Sequence, residues 1–146
     1  MSVQVALISG GATGIGKMVA RKLVSRRVSV VLSGRRRSVG EAAVAELASV
    51  AQRNAQVRFI QNDVSDEDAV KGMIDGIVGE FGRLDMAVNN AAISNETGTL
   101  VQSSSQNFRD MVNTNILGVY YSMKYALTQM VRRGMGPSST SRPSPG

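Results

Sequence analysis

Four times between Val3 and Arg133, a short run of β-branched and aliphatic residues gives way to a stretch with helical spacing. The first run is Val3 to Ser9, followed by Gly14 to Arg26 with Ile15, Val19 and Leu23 along one face. Val28 to Ser33 leads into an Ala-rich segment, Ser38 to Gln52, whose stripe is Val39, Ala43 and Leu47. Val57 to Asn62 precedes a helix from Asp66 to Phe81, opened by the capping-box-like Ser65-Asp66-Glu67-Asp68 and ended by Gly82. Leu84 to Val88 is the fourth run, and after a polar loop Gln106 to Arg133 can form one long helix. Strand and helix in alternation predict an α/β fold, a doubly wound parallel sheet of four strands with right-handed crossovers and helices on both faces.

Composition narrows the chemistry. A chain of 146 residues with 42% hydrophobic and 19% charged residues can build one domain with its own core. It holds no cysteine and no histidine, so thiolate and imidazole metal sites are excluded, no metal is expected, and the commonest general base is missing. The net charge of +6 is spread over small clusters, Arg26-Arg27, Arg35 to Arg37 and Arg132-Arg133. With three Phe and three Tyr to stack bases, and no nucleic-acid motif, a nucleic-acid partner is not expected. No basic leader precedes a long apolar run, and no apolar stretch approaches the roughly 20 residues that span a bilayer. The expected location is cytoplasmic, without a membrane partner.

The last eleven residues, Gly136 to Gly146, contain all three prolines and no aliphatic side chain. This divides the chain into a domain of residues 1–135 and a disordered tail of residues 136–146.

Between the first strand and the first helix lies Ser9-Gly10-Gly11-Ala12-Thr13-Gly14-Ile15-Gly16. Glycines let the backbone turn tightly and approach a pyrophosphate, and the helix N-terminus then offers unpaired N–H groups and a positive dipole end to the anion. In a doubly wound sheet, ligands sit beyond the carboxyl ends of the strands, where Gly10, Asp63 and Asn89 all fall.

The glycine spacing is G-x-x-x-G-x-G, with Ser9 ahead of it, and it resembles the nucleotide-binding signature of the short-chain dehydrogenase/reductase family. Three further matches follow in the family's order. Asp63-Val64 resembles the pair that meets the adenine ring, Asn89-Asn90-Ala91-Ala92 the family's NNAG, and Asn115-Ile116-Leu117-Gly118 its N-x-x-G. The resemblance spans residues 1 to about 135. It implies a Rossmann-like domain with Gly10, Thr13, Gly14, Ile15, Gly16, Arg35, Asp63, Val64, Asn89 and Ala91 as cofactor-binding residues. It also implies hydride transfer between a nicotinamide and a small carbonyl or alcohol.

The cofactor choice turns on the end of the second strand. An acidic residue there would bind the ribose hydroxyls and repel a 2′-phosphate. The sequence instead reads Ser33-Gly34-Arg35-Arg36-Arg37, and arginine suits phosphate through bidentate, charge-assisted contacts. NADP is therefore favoured over NAD, with Arg35 as the contact, although Thr13 is not basic as it is in many NADP-preferring relatives.

Catalysis in the family needs a Tyr, a Lys that lowers its pKa, a Ser that holds the carbonyl oxygen, and an Asn that completes a proton relay. Asn115 matches the last. Tyr120 and Lys124 spell Y-x-x-x-K but follow Asn115 by five residues on the same predicted helix, so Tyr120 points away from it. They read as packing and snorkelling residues. Relatives place the catalytic pair on a later helix, after a serine strand resembling Ile-Val-Asn-Ile-Ser-Ser-Val-Ala-Gly. The chain is thus expected to be truncated before its catalytic Ser and Tyr-Lys pair, and inactive as it stands.

Two alternatives stay open, a non-catalytic dinucleotide-binding module and an interaction fragment that pairs with an intact relative. The oligomeric state is open as well: relatives often pair through the long helix, so a homo-oligomer is one assembly the resemblance allows. The substrate is not legible: Ile93 to Leu100 would line one side of its pocket, and those residues are mostly small and polar. Two departures from the family accompany these matches. Arg27 stands where relatives place a helix-ending Gly, and Ala92 replaces the Gly of NNAG. Loss of a fifth strand would also leave Leu84 to Val88 as an apolar edge, in a marginal and aggregation-prone protein.

Codons for Pro137 to Gly146 can be chosen so that another reading frame spells that serine strand in full. A frameshift is the expected origin of the tail. Sequencing the coding DNA from the Gly134 codon should find the strand in that frame, with Y-x-x-x-K roughly a dozen residues on; DNA unable to encode it refutes the frameshift.

Overall fold

The computed structural model describes residues 2–95 and 98–134; the expected tail lies outside the described residues. Its elements alternate as β1 (Val5–Ser9), α1 (Gly14–Val24), β2 (Ser29–Gly34), α2 (Arg37–Ala48), β3 (Val57–Gln61), α3 (Glu67–Phe81) and β4 (Met86–Asn89). A short 3-10 turn at Leu100–Gln102 then leads to α4 (Ser105–Val112), a π-helical turn (Asn113–Leu117) and α5 (Gly118–Arg132).

All strand pairs are parallel, and the order across the sheet is β3-β2-β1-β4. The chain steps from β1 outward to β3, then crosses back to place β4 on the other side of β1. That reversal opens a crevice at the carboxyl ends of β1 and β4. Among the described residues β4 has one strand neighbour, β1, so it is the expected edge.

Strand geometry sends successive side chains to opposite faces, and here both faces are covered. Val5, Leu7 and Val31 join Val70, Ile74 and Ile77 of α3 and Ala126 of α5 in one core. Ala6, Ile8, Val30 and Leu32 join Ala20 and Val24 of α1 and Ala43 and Leu47 of α2 in the other. Each fully buried Leu, Ile or Val contributes on the order of 1.5–3 kcal/mol. This is why β1 and β2 are apolar almost throughout.

Three details differ from the sequence reading. The buried face of α1 is Gly16, Ala20 and Val24, whereas Ile15 is 72% exposed. Val19 and Leu23 of the expected stripe do pack against that core, partly buried, but the fully buried line is the small-residue one, set by how closely the helix must approach β1. The cap of α3 is Asp66, which accepts from the Ala69 amide, while Ser65 turns back to Asp63. Third, the long helix is not regular: the π turn separates α4 from α5.

The start of β4 is tied down by charge. Asp85, its side chain 1% exposed, pairs with Arg83 at 2.7 Å and accepts the Val5 amide at 2.8 Å. Burial pushes its carboxyl up, but the Arg83 guanidinium and the Val5 N–H outweigh that and hold it below the usual aspartate range.

Arg27 has φ +67°, in the left-handed region that favours glycine. Its N–H donates to Val24 O and that of Val28 to Leu23 O, which is the Schellman arrangement closing α1. An L-residue costs about 1 kcal/mol there. Arg27→Gly should raise stability by about 1 kcal/mol in urea denaturation; an unchanged or lower midpoint would show that the arginine is not strained.

Candidate functional site

The site is assembled at the carboxyl edge of the sheet, beginning with Gly10 at the end of β1. Gly10 takes φ +66°, and its N–H donates to Ser33 O, so the turn leaves β1 while still anchored to β2. Gly16 lets α1 start almost on top of it: a Cβ there would stand 2.4 Å from Gly10 O and 2.6 Å from Asn90 Nδ2.

Ser9 and Asn90 link this turn to the loop after β4. Ser9 Oγ accepts the amides of Asn90 and Ala91, both at 3.1 Å. Asn90 Nδ2 donates to Gly10 O at 3.1 Å. Both residues belong to the motifs read from the sequence, but neither was given a role of its own, because the link between them appears only when the two loops are seen side by side.

Thr13 precedes α1 without making a capping hydrogen bond, and α1 has no acid in its first turn. The same holds for Arg36 and α2. By contrast, α3 is capped by Asp66 and opens with Glu67 and Asp68. The first two helices therefore present unneutralised positive dipole ends near the glycine turn, suited to an anion.

A cleft of about 440 Å³ runs across these strand ends, within the range of small-molecule sites. Of the expected cofactor residues, Gly10, Thr13, Arg35, Asp63, Val64 and Ala91 line it. Gly14, Ile15, Gly16 and Asn89 do not: Gly16 acts through the close approach just described, while Gly14, Ile15 and Asn89 are exposed. Ser33, Arg36, Asn62, Ala92, Ile93 and Thr114 line the cleft without having been singled out as site residues.

Among the described residues two buried side-chain atoms lack a hydrogen-bond partner, Ser33 Oγ and Asn62 Oδ1, and both residues belong to the cleft. Buried polar groups are nearly always paired, so these atoms mark a place for a polar ligand. Together with the glycine approach at Gly16, they fit an adenosine-and-pyrophosphate ligand.

Asp63 sits at the far end. Partial burial raises its pKa, but the hydroxyl and amide of Ser65 and the charge of Arg35 bring it below the usual carboxylate range. It is an ionised acceptor at neutral pH. Val64 beside it packs on Gly118, where a Cβ would come within 2.8 Å of Val64 Cγ2. That contact explains the glycine of the N-x-x-G motif.

Asn115 lies inside the π turn, which accounts for an Asn in mid-helix. Its Oδ1 accepts the Ile93 amide at 2.9 Å and its Nδ2 donates to Ile93 O at 2.8 Å. The carboxamide therefore grips the backbone beyond β4 and is not itself among the cleft residues.

Tyr120 and Lys124 are elsewhere. Tyr120 is 55% exposed, too open for the packing role read from the sequence. Lys124 pairs with Glu67 at 3.2 Å, and the Tyr125 hydroxyl donates to the same carboxylate at 2.8 Å. Hydrogen bonding to Glu67 raises the Lys124 pKa, whereas the Tyr125 and Lys124 hydrogen bonds lower that of Glu67. This group joins α3 to α5 on the surface.

A family model described as short chain dehydrogenase matches residues 4–137. The chain is 33% identical over 132 residues to a 3-oxoacyl-acyl-carrier-protein reductase of Staphylococcus aureus, covering 90% of this chain and 52% of that one. It is 30% identical to an NADP-dependent (R)-specific alcohol dehydrogenase of Lentilactobacillus kefiri, covering 92% and 52%. Among solved structures, a short-chain type dehydrogenase/reductase from Mycobacterium ulcerans superposes with a TM-score of 0.86 at 34% identity, covering 92% of this chain and 50% of that one. A metagenomic short-chain oxidoreductase in complex with NADP gives 0.85 at 27% identity, covering 92% and 60%. The chain spans about half the length of the curated relatives it matches.

Gly16→Ala tests the architecture of the turn. With a Cβ 2.4 Å from a backbone carbonyl, α1 must shift. The expected result is a loss of about 1–3 kcal/mol in thermal or chemical unfolding, together with displaced amide resonances at Gly10 and Asn90. A variant that melts like the parent would mean that the close approach is not rigid.

Proposed function

Because the chain belongs to the short-chain dehydrogenase family, we propose that its cleft binds NADP in preference to NAD, as the cofactor half of an oxidoreductase acting on a small carbonyl or alcohol. The observation that carries this reading is the cleft itself: two uncapped helix N-termini, two unpartnered buried polar atoms, and Arg35 and Arg36 at its rim. The β2 end carries no carboxylate, and among the described residues neither arginine is in an ion pair.

In this reading Gly10, Gly14 and Gly16 shape the turn under the pyrophosphate, with Thr13 and Ile15 flanking it. Asp63 and Val64 receive the adenine, and Arg35 meets the 2′-phosphate through charge-assisted hydrogen bonds. Asn89 and Ala91 belong to the loop beside the nicotinamide. When bound, the nicotinamide ring supplies or accepts a hydride.

Asn115 holds that end of the site by fixing Ile93. Its Oδ1 and Nδ2 each make one hydrogen bond to Ile93 and each can make another, so the relay role that the resemblance implies for Asn115 stays part of this reading. Tyr120 is exposed and Lys124 is bound to Glu67, so neither is expected to donate a proton to a carbonyl in the cleft. We therefore assign cofactor binding without appreciable turnover to this stretch of chain. The exposed row Ile116, Tyr120, Met123 and Leu127 on the π turn and α5 supports a homo-oligomer as its assembly.

Fluorescence titration should give tighter binding of NADPH than NADH. Arg35→Ala should weaken NADPH by about tenfold or more and leave NADH nearly unchanged. No NADPH oxidation is expected with a panel of ketones. Equal affinities in the parent chain would refute the preference, and ketone-dependent oxidation abolished by mutating Tyr120 would refute the assignment of that residue.

A further inference from the structure

The three arginines that follow Gly34 are all exposed, and exposed arginines on a short connection have no direction of their own. Selecting a phosphate requires the backbone beneath them to be held. The structure supplies that support from the neighbouring strand. Gln61, the last residue of β3, lies opposite Gly34 in the parallel register. Its Nε2 donates to Arg35 O at 3.0 Å, and its Oε1 accepts from Arg37 Nη2 at 3.3 Å. The next residue, Asn62, donates its N–H to Gly34 O at 2.8 Å.

The consequence is a division among the arginines. Arg35 and Arg36 line the cleft, whereas Arg37, the first residue of α2, is engaged by Gln61. A carboxamide donates and accepts at once, so one side chain can hold a carbonyl on one side and a guanidinium on the other. A carboxylate in its place could keep Arg37 but would have no N–H for the Arg35 carbonyl.

We infer that Gln61, which does not itself line the cleft, is a positioning residue for cofactor specificity: it orders the Arg35–Arg37 turn so that Arg35 faces a 2′-phosphate. The inference rests on the reading of Arg35 given above. It concerns discrimination between the two dinucleotides rather than binding as such.

The test is a double-mutant cycle on the full 146-residue chain, with NADPH and NADH titrated separately by fluorescence. Gln61→Met keeps the length of the side chain without its donor or acceptor. It should weaken NADPH about three- to fivefold and leave NADH unchanged, because two exposed hydrogen bonds have been removed. Gln61→Glu should also lose NADPH preference, since it lacks the donor and brings a negative charge near the phosphate. In an Arg35→Ala background Gln61→Met should have no further effect.

Equal weakening of both dinucleotides by Gln61→Met would assign the residue a general structural role and overturn the inference. So would an additive loss in the double variant, or tighter NADPH binding once Arg37 is released. If the parent chain does not prefer NADPH, or Arg35→Ala spares it, the reading of Arg35 has failed first. A preference that depends on Arg35 but survives Gln61→Met defeats the Gln61 inference alone.

Discussion

The approach of α1 to the end of β1 sets the geometry of the whole carboxyl edge. Without a side chain at position 16, the helix begins within contact distance of the Gly10 carbonyl, and Asn90 can reach that same carbonyl from the far side. Ser9 then gathers the amides of Asn90 and Ala91. Two loops 81 residues apart in sequence are thereby joined into one wall. Shifting α1 outward would loosen the glycine turn, the loop after β4, and the mouth of the cleft between them.

A second device acts from the opposite side of the sheet. The π turn puts Asn115 against Ile93, and Gly118 lets the same helix press on Val64. One stretch of four residues thus braces the backbone at both ends of the cleft. The irregular turn re-aims Asn115, which helps to explain why π turns recur at functional sites. Farther along α5, Lys124 and Tyr125 meet Glu67 at the start of α3, so the loop carrying Asp63 and Val64 is held from two directions.

Much of this was legible from periodicity. The alternation of apolar runs and helical stripes predicted the element order, and the glycine spacing located the turn. Arg27 illustrates what the resemblance adds: it stands where relatives place a helix-ending Gly, and its backbone is in the left-handed region at φ +67°. Other features were hidden because they depend on pairing. The serine at the end of β1 and the second Asn of the Asn-Asn pair were visible as motif members but not their contacts, and Gln61 is an unremarkable residue type whose importance comes only from what faces it. The stripe expected for α1 holds at Val19 and Leu23 but not at Ile15, and its centre lies one residue on, at Gly16, Ala20 and Val24, because hydrophobicity alone does not measure how close two backbones must come.

By itself the sequence determined the order of secondary structure, the two-faced burial of the strands, the glycine turn and the basic segment after β2. These follow from short-range rules of period, propensity and backbone freedom. Only the tertiary structure decided which arginines face the cleft, what Asn115 holds and which polar atoms are left without partners. Each of those is a contact between segments far apart in the chain, fixed by the reversal that places β4 beside β1 and by the packing of α5 across the other face.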